Sequence, residues 1–453
     1  MRRVPADCSQ RFLFSFNIAN DLNQWEWSRE LLPADREALL PLTPRTILPV
    51  LAGLCAIAYW PALNNGFIAD DYVILDRVTT WNADFSYLFG MSPEKFRITS
   101  YLAFGLLKGL FGYHAAGFYC FAILLHILNA VLLWKFLALM TGSPRIAVLG
   151  SMLFAVGQSP QEAVMWLSGI NESLQAAFLL AALLLWIRKR LLWSAAACIA
   201  ALLSKESAVV VLLLLPLTEL ASERRLFRRR HILYIAIPVS VSVVIFACSL
   251  PNNVLVVGGY YGFGLHAVLV WIKSIHRLMF PWLYLAALLW FAARRHSWPR
   301  QATAGILWMT ASLLPYIFLT YQDHVPSRHT YLASIGFAWA LAVLLEEIRI
   351  DRLKVAFVAG FTVINIGYLW MVKDRQYQER AAPTARLLVE LESHPPGPVL
   401  IESFPMNPWI AKMTTRLVPG WGPEMITVNE PGERCTGCLR LHWDSKTGKY
   451  SSF

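Results

Sequence analysis

Charge is scarce in this chain. Of 453 residues only 15% are Asp, Glu, Lys or Arg, against 57% hydrophobic, and the mean hydropathy is +0.47. That balance excludes an ordinary soluble domain and fits a chain that crosses a membrane many times. No apolar run lies close to Met1, so a cleavable signal peptide is not expected. A His/Cys metal-ligand set, a repeat of solenoid period and the paired Gly/Pro interruptions of many transporters are also missing. Of seven cysteines, Cys55, Cys120, Cys198 and Cys248 sit in apolar segments, where a thiol behaves as a small hydrophobe. Cys435-Thr436-Gly437-Cys438 is a weak motif that reads as a local disulfide, half of a metal site or two free thiols.

What the chain has in quantity is apolar segments. The first covers residues 46–63, and others follow at 115–140, 145–158, 171–187, 191–203, 207–220, 232–250, 267–291, 303–320, 330–347 and 354–371, about eleven spans in all. Those at 145–158 and 191–203 are short for a clean crossing. Residues 97–112 suit a helix lying in the interface. The expected class is therefore an all-α polytopic membrane protein. Residues 1–45, with Trp25 and Trp27, form a cytoplasmic or interfacial lead-in, and residues 46–371 form the transmembrane domain. Residues 372–453 form a small extracytoplasmic α/β appendage, with a helix near 384–393, a strand near 399–403 and a hairpin over 439–450.

The net charge of +11 resides in short basic clusters between spans: Arg188-Lys189-Arg190, Arg224 through Arg230, Arg294-Arg295 and Arg349 through Lys354. They fall on alternate loops, which marks them as cytoplasmic; Lys373 and Arg375 dissent weakly. The charge is thus topology, and no nucleic-acid partner is implied. The expected setting is a bacterial inner (plasma) membrane, with the other loops facing the periplasm or exterior.

Those outer loops hold most of the chemistry. The polar loop 64–97 carries Asp70, Asp71 and Arg97, and the same side receives Glu162, Glu172, Lys205, Glu206, Arg328 and His329. Ionisable groups at membrane depth are costly unless paired or hydrated, so they tend to mark pathways or sites. Taken singly, Lys205-Glu206 reads as a boundary ion pair and Glu162 as a residue favoured by a helix dipole. His126 and Asn129, one turn apart, read as an interhelical hydrogen bond, and Trp166 reads as an interface anchor. Together, an acidic pair beside cations on one face suits transfer to a hydroxyl from a phosphate-bearing lipid donor. A carboxylate takes the acceptor proton and a cation meets the departing phosphate.

The motifs Gly66-Phe67-Ile68-Ala69-Asp70-Asp71-Tyr72, Phe111-Gly112, His126-Ile127-Leu128-Asn129-Ala130, Pro160-Gln161-Glu162-Ala163-Val164-Met165-Trp166, Ser204-Lys205-Glu206 and Arg328-His329-Thr330-Tyr331 follow one another over roughly residues 64–340. In order and spacing they resemble the GT-C membrane glycosyltransferases that use polyprenyl-phosphate sugars, nearest to the protein O-mannosyltransferase-like branch with its tetratricopeptide-tailed members. The resemblance implies a hexosyltransferase with Asp70 as catalytic base and Asp71 orienting it or binding a cation. It implies Lys205 and Arg328 as donor-phosphate contacts, with Glu162, Glu172, Glu206, His126, Asn129, Arg97 and His329 binding substrate or supporting the site. The partners would be a polyprenyl-phosphate sugar, a protein or glycan/lipid acceptor and the bilayer. Members differ in metal use, so a divalent cation (Mg or Mn) stays open. Two departures stand out: Ile170 follows Gly169 where members commonly carry Arg, and the tetratricopeptide tail is absent. A transporter or flippase of lipid-linked sugars, or a non-catalytic relative, are the rival readings.

Overall fold

The computed structural model describes residues 44–83, 97–222, 229–249, 254–293, 297–428 and 437–452. The N-terminal lead-in, Asp84, Glu94, the basic residues at 224–228 and 294–295, and Cys435 lie outside the described residues. Cys438 is disulfide-bonded.

Helix α1 (Pro44–Tyr59) runs into a 3-10 turn (Trp60–Asn64) and makes the first span. The acidic stretch behind it is not wholly a loop, because α2 (Asp70–Ala83) begins at the acidic pair. Both carboxylates occupy its first turn, where the helix dipole favours negative charge. Helix α3 (Ile98–Phe111) is tied to α2 by Lys108 Nζ donating to Thr79 Oγ1 at 2.5 Å and Arg77 donating to the Tyr101 hydroxyl at 3.0 Å. Then come α4 (Ala115–Thr141), α5 (Pro144–Val156), the single turn α6 (Glu162–Met165), α7 (Ile170–Ile187) and α8 (Leu191–Leu202). They are followed by α9 (Val211–Ser222), α10 (Arg229–Ser249), the turn α11 (Val254–Val257), α12 (Leu265–Met279) and α13 (Trp282–Ala292). The last helices of this part are α14 (Arg300–Leu313), α15 (Tyr331–Glu346), α16 (Asp351–Tyr368) and α17 (Asp374–Glu392).

Among the described residues, five helical stretches are long and apolar enough to cross a membrane, and a sixth is reached if the bent pair α12 and α13 counts as one. Four shorter apolar helices accompany them, including the segments at 145–158 and 191–203. The run 267–291 is not one helix: it bends by 68° between α12 and α13, at Phe280-Pro281. Pro281 has no N–H to donate and its ring pushes the preceding residue out of the α region. Similarly, the run 303–320 leaves the α-helix at Leu313, and Pro315 lies in the 3-10 turn that follows.

Nor does the last span stop near 371. A π-helical turn (Leu369–Lys373) joins α16 to α17, giving 42 helical residues from Asp351 to Glu392. At 1.5 Å per residue that is about 60 Å, twice the hydrocarbon thickness, so half of its length must stand beyond an apolar layer. The short helix expected near 384–393 is its final part.

Helix α15 is the centre of the bundle: every residue from Tyr331 to Leu345 is buried. It packs backbone to backbone on α14: a Cβ on Gly305 would lie 2.6 Å from Ala340 N and 2.7 Å from Gly336 O. Small residues are what permit such an approach between apolar helices. The two ends of α15 differ in charge partners. Arg145 and Lys354 reach Glu346 at its C-terminal end, at 3.5 and 3.9 Å, while Arg328 and His329 precede its N-terminal end.

Beyond α17 lie β1 (Val399–Glu402), α18 (Pro408–Thr415), β2 (Ile426–Val428), β3 (Leu439–Asp444) and β4 (Lys449–Ser452). The strands form a mixed sheet in the order β2-β1-β3-β4. β1 is parallel to β2 and β3, and β3 and β4 make the expected hairpin. This small domain sits on the same end of the bundle as the acidic pair. Arg416 Nε lies 3.0 Å from Asp76 Oδ1, and Tyr450 donates to Pro383 O at 3.1 Å.

Candidate active site

The acidic pair is set by one short segment. Ala69 has φ +46°, a left-handed conformation that residues with a side chain seldom adopt, and α2 starts directly after it. Asp70 is exposed, and among the described residues its carboxylate has no hydrogen-bond or ion-pair partner. Asp71 is fully buried. Its Oδ2 accepts from Ile68 N at 2.8 Å, and its Oδ1 accepts from Ser168 N at 2.7 Å and Ser168 Oγ at 2.5 Å. Burial pushes the Asp71 carboxyl up to about 7, and the hydrogen bonds from Ser168 and Ile68 pull the other way.

Both Asp71 oxygens face backbone N–H donors, so Asp71→Asn must point an amide NH2 at one of them. The substitution is expected to cost about 1–3 kcal/mol through the donor left unsatisfied. Chemical unfolding of the purified protein in detergent reads this, and an unchanged midpoint would contradict it. The pH sign follows from the raised carboxyl. Asp71 supports folding fully below the ordinary carboxylate range, and that support is lost as pH rises through about 7.

Ile68 also links the pair to a basic plate. Its carbonyl accepts from Trp166 Nε1 at 3.0 Å, and the guanidinium carbons of Arg328 and Arg380 lie over the Trp166 ring at 4.9 and 4.6 Å. Both guanidiniums reach one carboxylate oxygen, Glu162 Oε1, at 3.3 and 3.5 Å. Glu162 Oε2 accepts from Arg328 N at 3.1 Å. Trp166 is buried here and is no interface anchor. Gly169 lets the turn before α7 close on this point, since a Cβ there would lie 2.8 Å from both Ala163 Cα and Glu162 O.

A second cluster is fully internal. Glu172 Oε1 accepts from Lys205 Nζ and pairs with His329 Nδ1, and Glu172 Oε2 lies 2.9 Å from the Tyr316 hydroxyl. The Tyr316 and His329 rings stack at 4.4 Å, and Ser207 Oγ is 2.6 Å from the Tyr316 hydroxyl. Beside it, Arg97 grips Glu206 with two hydrogen bonds of 3.1 and 2.6 Å. Arg328 and His329 share a 3-10 turn (Ser327–Thr330), so one turn serves both clusters. Ser327 Oγ and Thr330 Oγ1 pin that turn by donating to Ser159 O at 2.8 and 2.9 Å.

Lys205 therefore sits away from the surface, engaged by Glu172. His126 and Asn129 are also internal. His126 Nε2 lies 3.2 Å from Ala155 O, which can only accept, so Nδ1 is the acceptor for the Tyr331 hydroxyl at 2.7 Å. Asn129 Nδ2 donates to Ser173 O at 2.9 Å and to the Tyr331 hydroxyl at 3.1 Å. The pair ties α4 to α5, α7 and α15. Ile170 is buried in the core and brings no cation.

Three participants escape the sequence reading: Arg380 comes from α17, Tyr316 from within an apolar run and Ser168 from the turn before α7. Trp166 reads in the sequence only as an interface anchor, one of 18 tryptophans. No group of three or more His, Cys, Asp or Glu that could hold a metal ion occurs among the described residues. The acidic pair does not fit a divalent cation either, because both Asp71 oxygens already face donors and Asp70 alone is left free.

No protein-family model matches this sequence, and neither does any curated protein. Among solved structures the chain is similar to ArnT from Cupriavidus metallidurans bound to undecaprenyl phosphate. That likeness has 12% identity, covers 89% of this chain and 94% of that one, and has a TM-score of 0.54. A weaker likeness is to the archaeal oligosaccharyltransferase AglB from Archaeoglobus fulgidus, in complex with an inhibitory peptide and a dolichol-phosphate. There the identity is 13%, the coverage 85% of this chain and 64% of that one, and the TM-score 0.47. The chain shares the fold of that ArnT structure, a helical architecture with several apolar helices, and carries a small C-terminal sheet.

Proposed function

We propose that this protein is an integral-membrane glycosyltransferase that moves a sugar from a polyprenyl-phosphate donor to a hydroxyl of a protein or glycan/lipid acceptor. The reaction takes place on the extracytoplasmic face, in a bacterial inner membrane. The observation that carries the reading is the segment 68–71. It presents the free carboxylate of Asp70 and, through the Ile68 carbonyl, holds the tryptophan on which Arg328 and Arg380 rest. An ArnT-like fold around that segment supports a lipid-phosphate donor, since the ArnT structure contains undecaprenyl phosphate. The motif order given above supports the O-mannosyltransferase-like branch.

Asp70 takes the acceptor hydroxyl proton as that oxygen bonds to the anomeric carbon. The bond from that carbon to the phosphate oxygen breaks, with inversion, and the electron pair leaves with the polyprenyl phosphate. Arg328 meets the growing charge on the phosphate. Asp71 fixes the start of α2 and so the position of Asp70. The buried Glu172–Lys205–His329 group positions the turn that carries Arg328. The divalent cation left open by the sequence supplies no step here.

Arg328→Ala is expected to weaken donor binding by about 1.5–3 kcal/mol, the contribution of charge-assisted bonds to a phosphate. Equilibrium binding of a synthetic polyprenyl-phosphate sugar in nanodiscs measures it. Unchanged affinity would remove Arg328 from the phosphate site.

A further inference from the structure

Arg380 lies outside every motif that drew attention in the sequence, on helix α17, which packs against Gly66 just ahead of the acidic pair. Tyr377, Ala381 and Thr384 on the same helix are buried, Ala381 Cβ lies against Gly66, and Tyr450 of the sheet holds Pro383. The position of Arg380 is thus fixed by the C-terminal domain. With Arg328 it makes two guanidiniums over one indole, facing a single carboxylate, Glu162. Two positive charges share one negative charge there, and the contacts to Glu162 Oε1, 3.3 and 3.5 Å, are longer than the ~2.7–2.9 Å of a tight charge-assisted bond. Both side chains keep 26% and 36% of their surface open, so the group is reachable.

We infer that Arg380 and Arg328 form a two-guanidinium clamp for the phosphate of a lipid phosphate ester, and that Glu162 occupies the clamp until the phosphate replaces it. A phosphate presents several oxygens to two planar forks, which one bridging carboxylate oxygen does not. The Trp166 ring keeps both cations in place when the anion changes, because its face attracts either guanidinium. The C-terminal domain is then part of the binding site and not an independent appendage. This inference rests on the proposed function only for the lipid that carries the phosphate.

The test is binding of undecaprenyl phosphate, with inorganic phosphate as competitor, to the full chain in nanodiscs. Arg380→Gln is expected to weaken binding by roughly 10- to 100-fold, and Arg380→Lys to fall between it and the unmutated chain. Glu162→Gln is expected to tighten binding several-fold, because the competing anion is gone. That rise separates the clamp from a salt bridge that merely pins α17. Glu162→Gln also keeps the side-chain volume and reads the inference should Arg380→Gln fail to fold. Competition by inorganic phosphate at millimolar level identifies a site for any phosphate, and its absence identifies one that needs the lipid. Wild-type affinity in Arg380→Gln, weaker binding in Glu162→Gln, or no binding by the unmutated chain would overturn the clamp. If binding behaves as expected but no sugar is ever transferred, the clamp stands and the glycosyltransferase reading falls. Sugar transfer with an unchanged KM in Arg380→Gln has the opposite meaning.

Discussion

Asp70→Asn is expected to reduce turnover by roughly 10²- to 10⁴-fold, the usual range for loss of a general base. Donor binding should be unaffected and folding nearly so. The substitution keeps the size of the side chain and removes only the proton acceptor. Because Asp70 is exposed and has no partner among the described residues, the fold should lose only its interaction with the α2 dipole, about 0.3–1 kcal/mol. Asp71→Asn gives the opposite pattern, a loss of stability that lowers activity indirectly. The pair therefore separates chemistry from positioning although the two residues are neighbours in sequence. Equal stability losses in both would mean that Asp70 is a structural residue. Near-normal turnover in Asp70→Asn would mean that the base lies elsewhere.

The second large effect is expected inside the bundle. Glu172 and Lys205 are both almost wholly buried, with side chains 3% and 6% exposed. Removing the carboxylate in Glu172→Ala leaves the Lys205 ammonium without its counter-charge, a situation that costs about 3–5 kcal/mol. His329 and Tyr316 lose a shared partner at the same time. Replacing both charged residues, as in Glu172→Leu with Lys205→Met, should cost clearly less than the two single changes added together, since no lone charge remains. Thermal unfolding in detergent of the unmutated protein, Glu172→Leu, Lys205→Met and the double variant gives the comparison. Additive losses would show that the two groups are not coupled.

How far the sequence disclosed this arrangement depends on the kind of signal each residue leaves. Glu162, Glu172, Lys205, Glu206, Arg328 and His329 are visible because each interrupts or borders an apolar segment, where an ionisable group needs a reason. The structure gathers them at the end of the bundle that carries Asp70 and Asp71. Arg380 leaves no such signal. It is one of several charged residues on a polar helix, and only the packing of that helix against Gly66 brings it to Trp166. Tyr316 is hidden for the converse reason, being one more aromatic in an apolar run. Which member of the acidic pair faces inward is set by the backbone turn at Ala69, a conformation that the residue type disfavours and so conceals. The bend after Met279 was open to reading from Phe280-Pro281, but the continuous hydropathy of 267–291 masks it. The helical join across 369–373 is masked by the change from apolar to polar sequence at Lys373, although no Pro or Gly breaks the helix there.

The central claim is that sugar leaves a polyprenyl phosphate at this site. The most direct measurement is release of polyprenyl phosphate from a panel of synthetic polyprenyl-phosphate sugars, by the purified full chain in nanodiscs supplied with envelope extract as acceptor. Mass spectrometry follows the sugar. The account predicts that the unmutated protein releases the lipid phosphate and that the sugar appears on a hydroxyl of the extract, with Asp70→Asn lower by at least two orders of magnitude. Lipid-linked sugar that crosses the bilayer intact, with no transfer by the unmutated protein from any donor, would contradict it and identify a flippase instead.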